Sequence, residues 1–88
     1  IPFDSEAEAI ARANDSEYGL VAYVVTENGA RQQRLARALD YGMVAINRGI
    51  ASDPAAPFGG MKESGLGREG GFAGIHEFLE TQYFAVDL

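Results

Sequence analysis

The amino-acid sequence predicts an α/β fold built on a pair of parallel β-strands. Residues 20–26 (LVAYVVT) and 43–47 (MVAIN) are short apolar runs rich in β-branched side chains, as expected of strands covered on both faces. Between them, residues 30–40 place apolar side chains at helical spacing. A strand, a helix and a strand within 28 residues form a crossover unit, which predicts parallel pairing and a right-handed connection.

A helix is predicted before the first strand. Ser5 and Glu8 have the spacing of a capping box, in which each side chain satisfies a backbone N–H group at the helix start. The apolar face of this helix is predicted to carry Ala7, Ile10 and Ala11.

The helix between the two strands has a predicted end of its own. Gly42 lies where a left-handed C-terminal cap belongs. The side of this helix that faces the sheet is predicted to carry Gln32, Leu35, Ala36 and Leu39.

The chain is acidic, with 88 residues and a formal net charge of -6. Its densest basic run, Arg31, Arg34 and Arg37, indicates either an anion site or a solvated helix face, and we favour the solvated face. No basic patch is present, so we expect no nucleic-acid partner. No apolar run approaches the roughly 20 residues that span a membrane, so we expect no membrane partner.

Cysteine is absent, and His76 is the only histidine. Within these residues this composition excludes disulfides, thiolate chemistry and a metal site of histidine and cysteine ligands. A cysteine-free chain fits a reducing compartment, and we expect a cytoplasmic protein. The sequence starts at Ile1 and shows no signal-peptide pattern, so we expect a piece of a longer polypeptide.

Residues 48–71 form a long segment without periodicity, containing seven glycines and two prolines. Such a segment is typical of a lid, a binding loop or a disordered linker. Phe58 and Met61 are apolar residues that a solvated linker would not need, which favours an ordered loop.

The end of the chain is predicted to be ordered again. Residues 72–80 fit a helix with Phe72, Ile75, Phe78 and Leu79 on one face, and residues 83–88 alternate like a strand. No partner strand lies nearby in the sequence, so another chain or domain is expected to cover it.

Two short motifs in the glycine-rich segment do not qualify as sites. Residues 65–70 match GxGxxG, but residues 61–64 before them do not read as a strand, which the dinucleotide fingerprint requires. Ser64 lacks the flanking glycine of a nucleophile elbow, because Lys62 occupies that position.

Several stretches resemble the aldehyde dehydrogenase superfamily in order and spacing, and the block at residues 57–71 is the most specific. They are EAIARAND, YGLVAYVVT, GMVAIN, APFGGMKESGLGREGG and GIHEFLETQYFAV. The resemblance implies that residues 1–71 form the C-terminal part of a catalytic domain with its anchor loop. It implies that residues 72–88 form a terminal helix and an oligomerisation strand.

The resemblance also implies an activity for the full protein. Enzymes of this superfamily oxidise an aldehyde to the acid with NAD or NADP, through a cysteine nucleophile and a glutamate-activated water. Those groups and the main cofactor contacts are expected outside this chain, so we assign it no catalytic or cofactor-binding residue and expect it to be inactive and marginally stable alone. The strings NRGIASDPAAPFGG and SGLGREG are most similar to succinate-semialdehyde dehydrogenases. Another semialdehyde or a general aldehyde dehydrogenase is the alternative, as is a non-enzymatic oligomerisation or interaction module.

Two residues are candidates for substrate contact by this resemblance. Ser52 occupies the place of a serine that binds the distal carboxylate of succinate semialdehyde, or it is a plain loop serine. Phe58 corresponds to a phenylalanine that lines the aldehyde entry tunnel, or it only anchors the loop.

Three further residues are expected to have interface or structural roles. Arg68 and Glu80 stand where relatives form ion pairs near the subunit interface, and we predict that they pair directly. Asn47, at the end of the second strand, is assigned to the same class. Residues 83–88 would then join a homodimer or a homotetramer.

Overall fold

The computed structural model describes all 88 residues and confirms the α/β fold. Its helices and strands follow the predicted order, with two short strands and a split final helix added. They are α1 (Glu6–Asn14), β1 (Tyr18–Gly19), β2 (Val21–Val24), α2 (Gly29–Ala38), β3 (Met43–Ile46), β4 (Met61–Lys62), α3 (Gly71–Gly74) and a 3₁₀ helix (Ile75–Phe78).

Strands β2 and β3 pair in parallel, as the crossover pattern predicts. Val21 is opposite Met43, and Val24 is opposite Ile46. The expectation that β2 is covered on both faces is not met within this chain, because Tyr23 is 54% exposed. One face of the sheet therefore lacks a covering layer in these residues.

Helix α1 begins as the capping box predicts, but its second bond is shifted. The Glu8 N–H group donates to Ser5 Oγ at 3.1 Å, whereas the Glu8 carboxylate accepts from the Asp4 N–H group rather than that of Ser5. The buried face of α1 also differs from the predicted one. Ala9, Ile10 and Ala13 are part-buried, whereas Ala7 and Ala11 are exposed. Ile10 is the only large apolar residue in the helix, so the spacing of the small alanines could not select the face.

Helix α2 starts at the N-cap residue Asn28, whose Oδ1 accepts from the Arg31 N–H group at 2.9 Å. Gln32 and Leu35 are part-buried and Leu39 is buried, as predicted, but Ala36 is exposed.

The predicted cap at Gly42 is wrong. Gly42 is absent from the residues with positive φ, and Leu39 ends the helix with extended backbone. A Cβ atom at Gly42 would instead overlap the carbonyl oxygen of Gly59. Glycine is required there because two backbone segments approach closely, not because the chain turns left-handed.

The glycine-rich segment is an ordered loop with a strand of its own, which the lack of periodicity did not predict. Strand β4 pairs antiparallel with β1, placing Lys62 opposite Tyr18 and Met61 opposite Gly19. This pairing attaches the loop to the connection between α1 and β2.

The end of the chain is less regular than predicted. The predicted helix over residues 72–80 is one turn of α-helix followed by a 3₁₀ helix that ends at Phe78. Residues 79–88 carry no strand, because no second strand in this chain pairs with them. Phe72 and Phe78 are 96% and 85% exposed, so their common face has no contact partner here.

The core of the chain is small. Only Leu39 and Ala45 are buried hydrophobic residues, and five of 88 residues are buried in total. The radius of gyration is 17.3 Å, whereas a compact chain of this length has about 12 Å. No helix in the chain has both the length and the apolar character needed to cross a membrane.

Candidate functional site

The candidate substrate residues lie on one open depression of about 400 Å³. Its walls come from two parts of the glycine-rich loop, one containing Ser52 and Phe58 and the other Glu69 and Gly70. The loop therefore folds back on itself and brings together two residues that sequence reasoning linked only through a resemblance.

Phe58 is held by a pair of short main-chain hydrogen bonds. Its N–H group donates to the Glu69 carbonyl at 2.7 Å, and its own carbonyl accepts from the Glu69 N–H group at 2.7 Å. The Gly71 N–H group donates to the Pro54 carbonyl at 3.0 Å and closes the same loop two residues further on. These contacts fix the backbone on which the aromatic ring is mounted, while the side chain remains part-exposed.

The segment beside Ser52 is shaped by an aspartate turn. Asp53 Oδ1 accepts from the Ala55 N–H group at 2.9 Å, and the Asp53 carbonyl accepts from the Ala56 N–H group at 3.0 Å. An aspartate commonly organises a turn in this way, because its side chain mimics a backbone acceptor. Ser52 is exposed at the edge of this turn, where its hydroxyl can donate to a bound molecule.

The lining combines an apolar wall with acidic groups. Phe58 and Pro54 supply apolar surface, and Asp53 and Glu69 are its only charged residues. The depression can therefore orient a small molecule against the Phe58 ring and donate one hydrogen bond to it from the Ser52 hydroxyl. Any cation that this molecule requires must come from outside these residues.

Arg68 does not form the predicted ion pair with Glu80. Its Nη1 atom donates to the Gly60 carbonyl at 2.8 Å and to the Gly67 carbonyl at 2.7 Å. The ion pairs of the chain do not include Glu80. A part-buried guanidinium beside the close-packed Gly59 finds carbonyl acceptors at hand, whereas Glu80 lies in the exposed terminal segment. Arg68 thus holds the glycine-rich loop in shape internally.

Asn47 extends the parallel sheet with its side chain. Its Oδ1 accepts from the Thr26 N–H group at 2.9 Å, and its Nδ2 donates to the Thr26 carbonyl at 2.9 Å. The residue has a left-handed φ of 55°, a region that asparagine tolerates better than most residues. Within this chain the contacts of Asn47 are structural.

The basic run on α2 is exposed, as the favoured interpretation of a solvated helix face predicts, but two of its arginines also form contacts that the sequence did not predict. Arg34 Nε and Arg31 Nε donate to the Glu6 carboxylate at 2.6 and 3.1 Å, so that α2 is clamped to α1. The hydrogen bond from Arg34, reinforced by that from Arg31, lowers the pKa of Glu6 from its ordinary 4.5 to about 2. The same contact raises the pKa of Arg34.

A larger depression of about 520 Å³ lies among α1, β2 and α2. Most of its lining is apolar. Of its three charged residues, Glu6 and Arg31 are engaged in mutual contact, and the third is Asp4. No histidine or cysteine lines it, and no group of carboxylates there could hold a metal ion. We therefore regard it as an incompletely filled contact between the helices and the sheet.

Sequence reasoning missed two residues that anchor the loop. Lys62 Nζ donates to the Asn14 and Ser16 carbonyls at 3.0 and 3.1 Å. Ser64 Oγ accepts from the Gly19 N–H group at 2.9 Å. No periodicity marks either residue, because both contacts join parts of the chain more than 40 residues apart.

Comparison with known proteins identifies a family and several similar enzymes. The sequence model of the aldehyde dehydrogenase family matches residues 1–84. The succinate semialdehyde dehydrogenase of Acinetobacter baylyi is 53% identical over 81 residues, which make up 92% of this chain and 17% of that protein. The non-phosphorylating aspartate-semialdehyde dehydrogenase of Halomonas elongata is 52% identical over 84 residues, or 96% of this chain and 17% of that protein.

A solved structure shows the same fold over the whole length. The crystal structure of an NADP-dependent enzyme of E. coli superposes on 100% of this chain with a TM-score of 0.94 and 50% identity, and the chain covers 18% of it. This chain thus spans less than a fifth of the length of these relatives. The family match over residues 1–84 confirms the resemblance seen in the sequence: the chain belongs to the aldehyde dehydrogenase family.

Proposed function

We propose that the complete protein is an NAD- or NADP-dependent dehydrogenase that oxidises a semialdehyde, in the first place succinate semialdehyde, to the carboxylic acid. Family membership and the names of the similar enzymes support the reaction class. The chain contains no cysteine. The chain also spans less than a fifth of the length of its relatives, so the proposal assigns the nucleophile and most cofactor contacts to other parts of the complete protein and expects these residues alone to be inactive.

The role proposed for this chain is to form one wall of the substrate site. The Ser52 hydroxyl donates a hydrogen bond to the carboxylate at the far end of the substrate. The Phe58 ring presents an apolar surface along the carbon chain of the substrate. The observation that carries this role is that both residues line the same depression. The paired hydrogen bonds to Glu69 mount the ring on a fixed backbone, as substrate positioning requires.

The role of Ser52 is tested by steady-state kinetics of the complete enzyme with Ser52→Ala. Hydrogen bonds to charged groups contribute about 1.5–3 kcal/mol, so kcat/KM for succinate semialdehyde should fall about 10- to 100-fold. An uncharged aldehyde of similar length makes no such bond, so its kcat/KM should change less than about twofold. Ser52→Thr retains the hydroxyl and serves as the matched control. Equal losses on both aldehydes would exclude contact between Ser52 and the carboxylate.

A second candidate substrate follows from the charge of the depression. Asp53 and Glu69 lie in its lining, which contains no cationic residue, and like charges disfavour a bound carboxylate. An aldehyde that also carries an ammonium group, such as aspartate semialdehyde, would instead be attracted. If kcat/KM for that amino aldehyde exceeds the value for succinate semialdehyde, and Glu69→Gln reverses the order, the second candidate replaces the first.

Oligomerisation belongs to the same proposal. Residues 83–88 are exposed and unpaired here, and we propose that they add as a strand to a second subunit, giving a homodimer or homotetramer. A cytoplasmic location is also proposed, and fractionation of cells that express the complete protein tests it.

A further inference from the structure

Lys62 makes an unusual contact for a surface lysine. Its ammonium donates to two main-chain carbonyls, those of Asn14 at 3.0 Å and Ser16 at 3.1 Å, and forms no ion pair with a carboxylate. Its backbone has a left-handed φ of 55°. Such a conformation persists in a residue other than glycine only where the surrounding contacts hold it.

The acceptors of Lys62 lie at the C-terminal end of α1. The last carbonyls of a helix lack partners within the helix and carry partial negative charge, so an ammonium group is favoured there. The end of α1 is itself fixed to the end of α2. Asn14 Nδ2 donates to the Ala38 carbonyl at 2.7 Å, Asn14 Oδ1 accepts from the Asp40 N–H group at 2.9 Å, and Tyr41 Oη donates to the Ala13 carbonyl at 2.6 Å. Lys62 is therefore attached to a junction that three side-chain hydrogen bonds hold together.

The other end of the connection leads to the candidate site. Lys62 belongs to β4, which pairs with β1, and the Glu63 N–H group donates to the Glu17 carbonyl at 2.9 Å. Only three residues separate Lys62 from Phe58. The second of these, Gly60, is held from inside the loop by Arg68. A displacement of Lys62 would thus pass along a short, tightly bonded segment to the backbone of Phe58.

We propose that Lys62 is a positioning residue for the substrate site, and that its ammonium bond to the end of α1 sets the placement of Phe58 in the depression. This inference rests on the proposed dehydrogenase function. Lys62 does not touch the depression, whose lining does not include it. Its effect is therefore on substrate fit rather than on the chemical step.

Three substitutions in the complete enzyme distinguish the effect of the Lys62 ammonium from the effect of its left-handed backbone. Lys62→Met keeps the aliphatic stem and removes the charge. Lys62→Gly removes the charge and also relieves the left-handed backbone. Lys62→Arg keeps a cationic donor that can bond two carbonyls. Arg37→Met is the matched control, because it removes an exposed cation that forms no ion pair.

The expected result is a change in KM with little change in kcat. KM for the aldehyde should rise about 3- to 10-fold in Lys62→Met and in Lys62→Gly, with kcat within about twofold of wild type. Lys62→Arg should restore most of the loss, and Arg37→Met should show none. If Lys62→Gly keeps the wild-type KM, or kcat falls while KM is unchanged, the proposal is overturned.

Hydrogen exchange of the complete protein gives a readout that does not need activity. The amides of Phe58 and Glu69 should exchange about tenfold faster in Lys62→Met, while amides in β2 and β3 keep their rates. Unchanged exchange at both amides would contradict the positioning role. Absence of aldehyde oxidation by the wild-type enzyme would refute the proposed function instead, and the exchange rates would still decide the role of Lys62.

Discussion

Glu6 is the residue whose chemistry departs furthest from its ordinary behaviour. Two arginines of α2 donate to its carboxylate, and Arg34 alone makes two hydrogen bonds of 2.6 and 2.8 Å. These bonds favour the charged form and hold the pKa of Glu6 at about 2. The sequence could predict the helical spacing of the arginines, but not their partner 25 residues or more away.

This pKa shift makes a prediction about acid stability. The pKa of Glu6 in the folded chain, about 2, lies below its ordinary 4.5. Its contribution to the free energy of unfolding is therefore present above the ordinary pKa and is lost as the pH falls from about 4.5 to about 2. Glu6→Gln should be less stable than wild type near neutral pH, and the difference should shrink across that acidic range.

Urea denaturation of the complete protein at a series of pH values measures this difference. Glu27→Gln, which removes an exposed carboxylate with no ion pair, is the control and should show no such pH dependence. A difference between wild type and Glu6→Gln that stays constant down to pH 2 would contradict the clamp between α1 and α2.

At the scale of elements, the glycine-rich loop lies in close backbone contact with Gly42, just before β3. A Cβ atom at Gly42 would lie 2.8 Å from the Gly60 Cα atom, besides overlapping the Gly59 carbonyl oxygen. Both neighbours are backbone atoms, which cannot move aside as a flexible side chain can. The loop is held against the α/β unit by contact as well as by the pairing of β1 with β4.

Gly42→Ala should therefore destabilise the protein by about 1–3 kcal/mol, the usual cost of forcing extra volume into a close contact. Gly29→Ala is the matched control, because nothing lies within 4 Å of its added Cβ atom. Alanine at that helical position should be neutral or stabilising by up to about 1 kcal/mol. Chemical denaturation of the two variants measures both values, and equal stability would refute the close contact.

The main elements could be predicted from the sequence because their signals are local. Two apolar runs and a helical period between them are enough to define a parallel crossover, and Ser5 marks the first turn of α1. Strand β4 could not be predicted, since its two residues owe their conformation to pairing with a distant partner. The depression at Ser52 and Phe58 was reached only through the family resemblance, because its walls meet by long-range folding of an aperiodic loop.

At the scale of the whole molecule, much of the apolar surface has no cover. Tyr83, Phe84 and Val86 are 88%, 81% and 68% exposed at the end of the chain. The sequence predicted a strand there from its alternation, but a strand forms only when its backbone groups find partners. The absence of regular structure over these residues reflects the absence of a pairing strand within the chain.

The proposed subunit pairing gives a prediction at this scale. The complete enzyme should elute from size-exclusion chromatography with light-scattering detection as a dimer or tetramer. Removal of residues 83–88 should shift it to the monomer, because the pairing strand is lost. Val86→Thr keeps a β-branched side chain and the backbone donor, so it should leave the assembly unchanged. A monomeric wild-type enzyme, or a truncated form that still assembles, would exclude this interface.

The junction at Asn14 limits which sequences the molecule can accept. Its side-chain amide donates to the Ala38 carbonyl and accepts from the Asp40 N–H group, while its main-chain carbonyl accepts from the Lys62 ammonium. Aspartate would turn an oxygen toward the Ala38 carbonyl, and serine is too short to span both partners. Neither replacement could therefore make both side-chain hydrogen bonds of this residue. Deamidation of the Asn14 side chain would therefore weaken the attachment of both helices and of the loop at once.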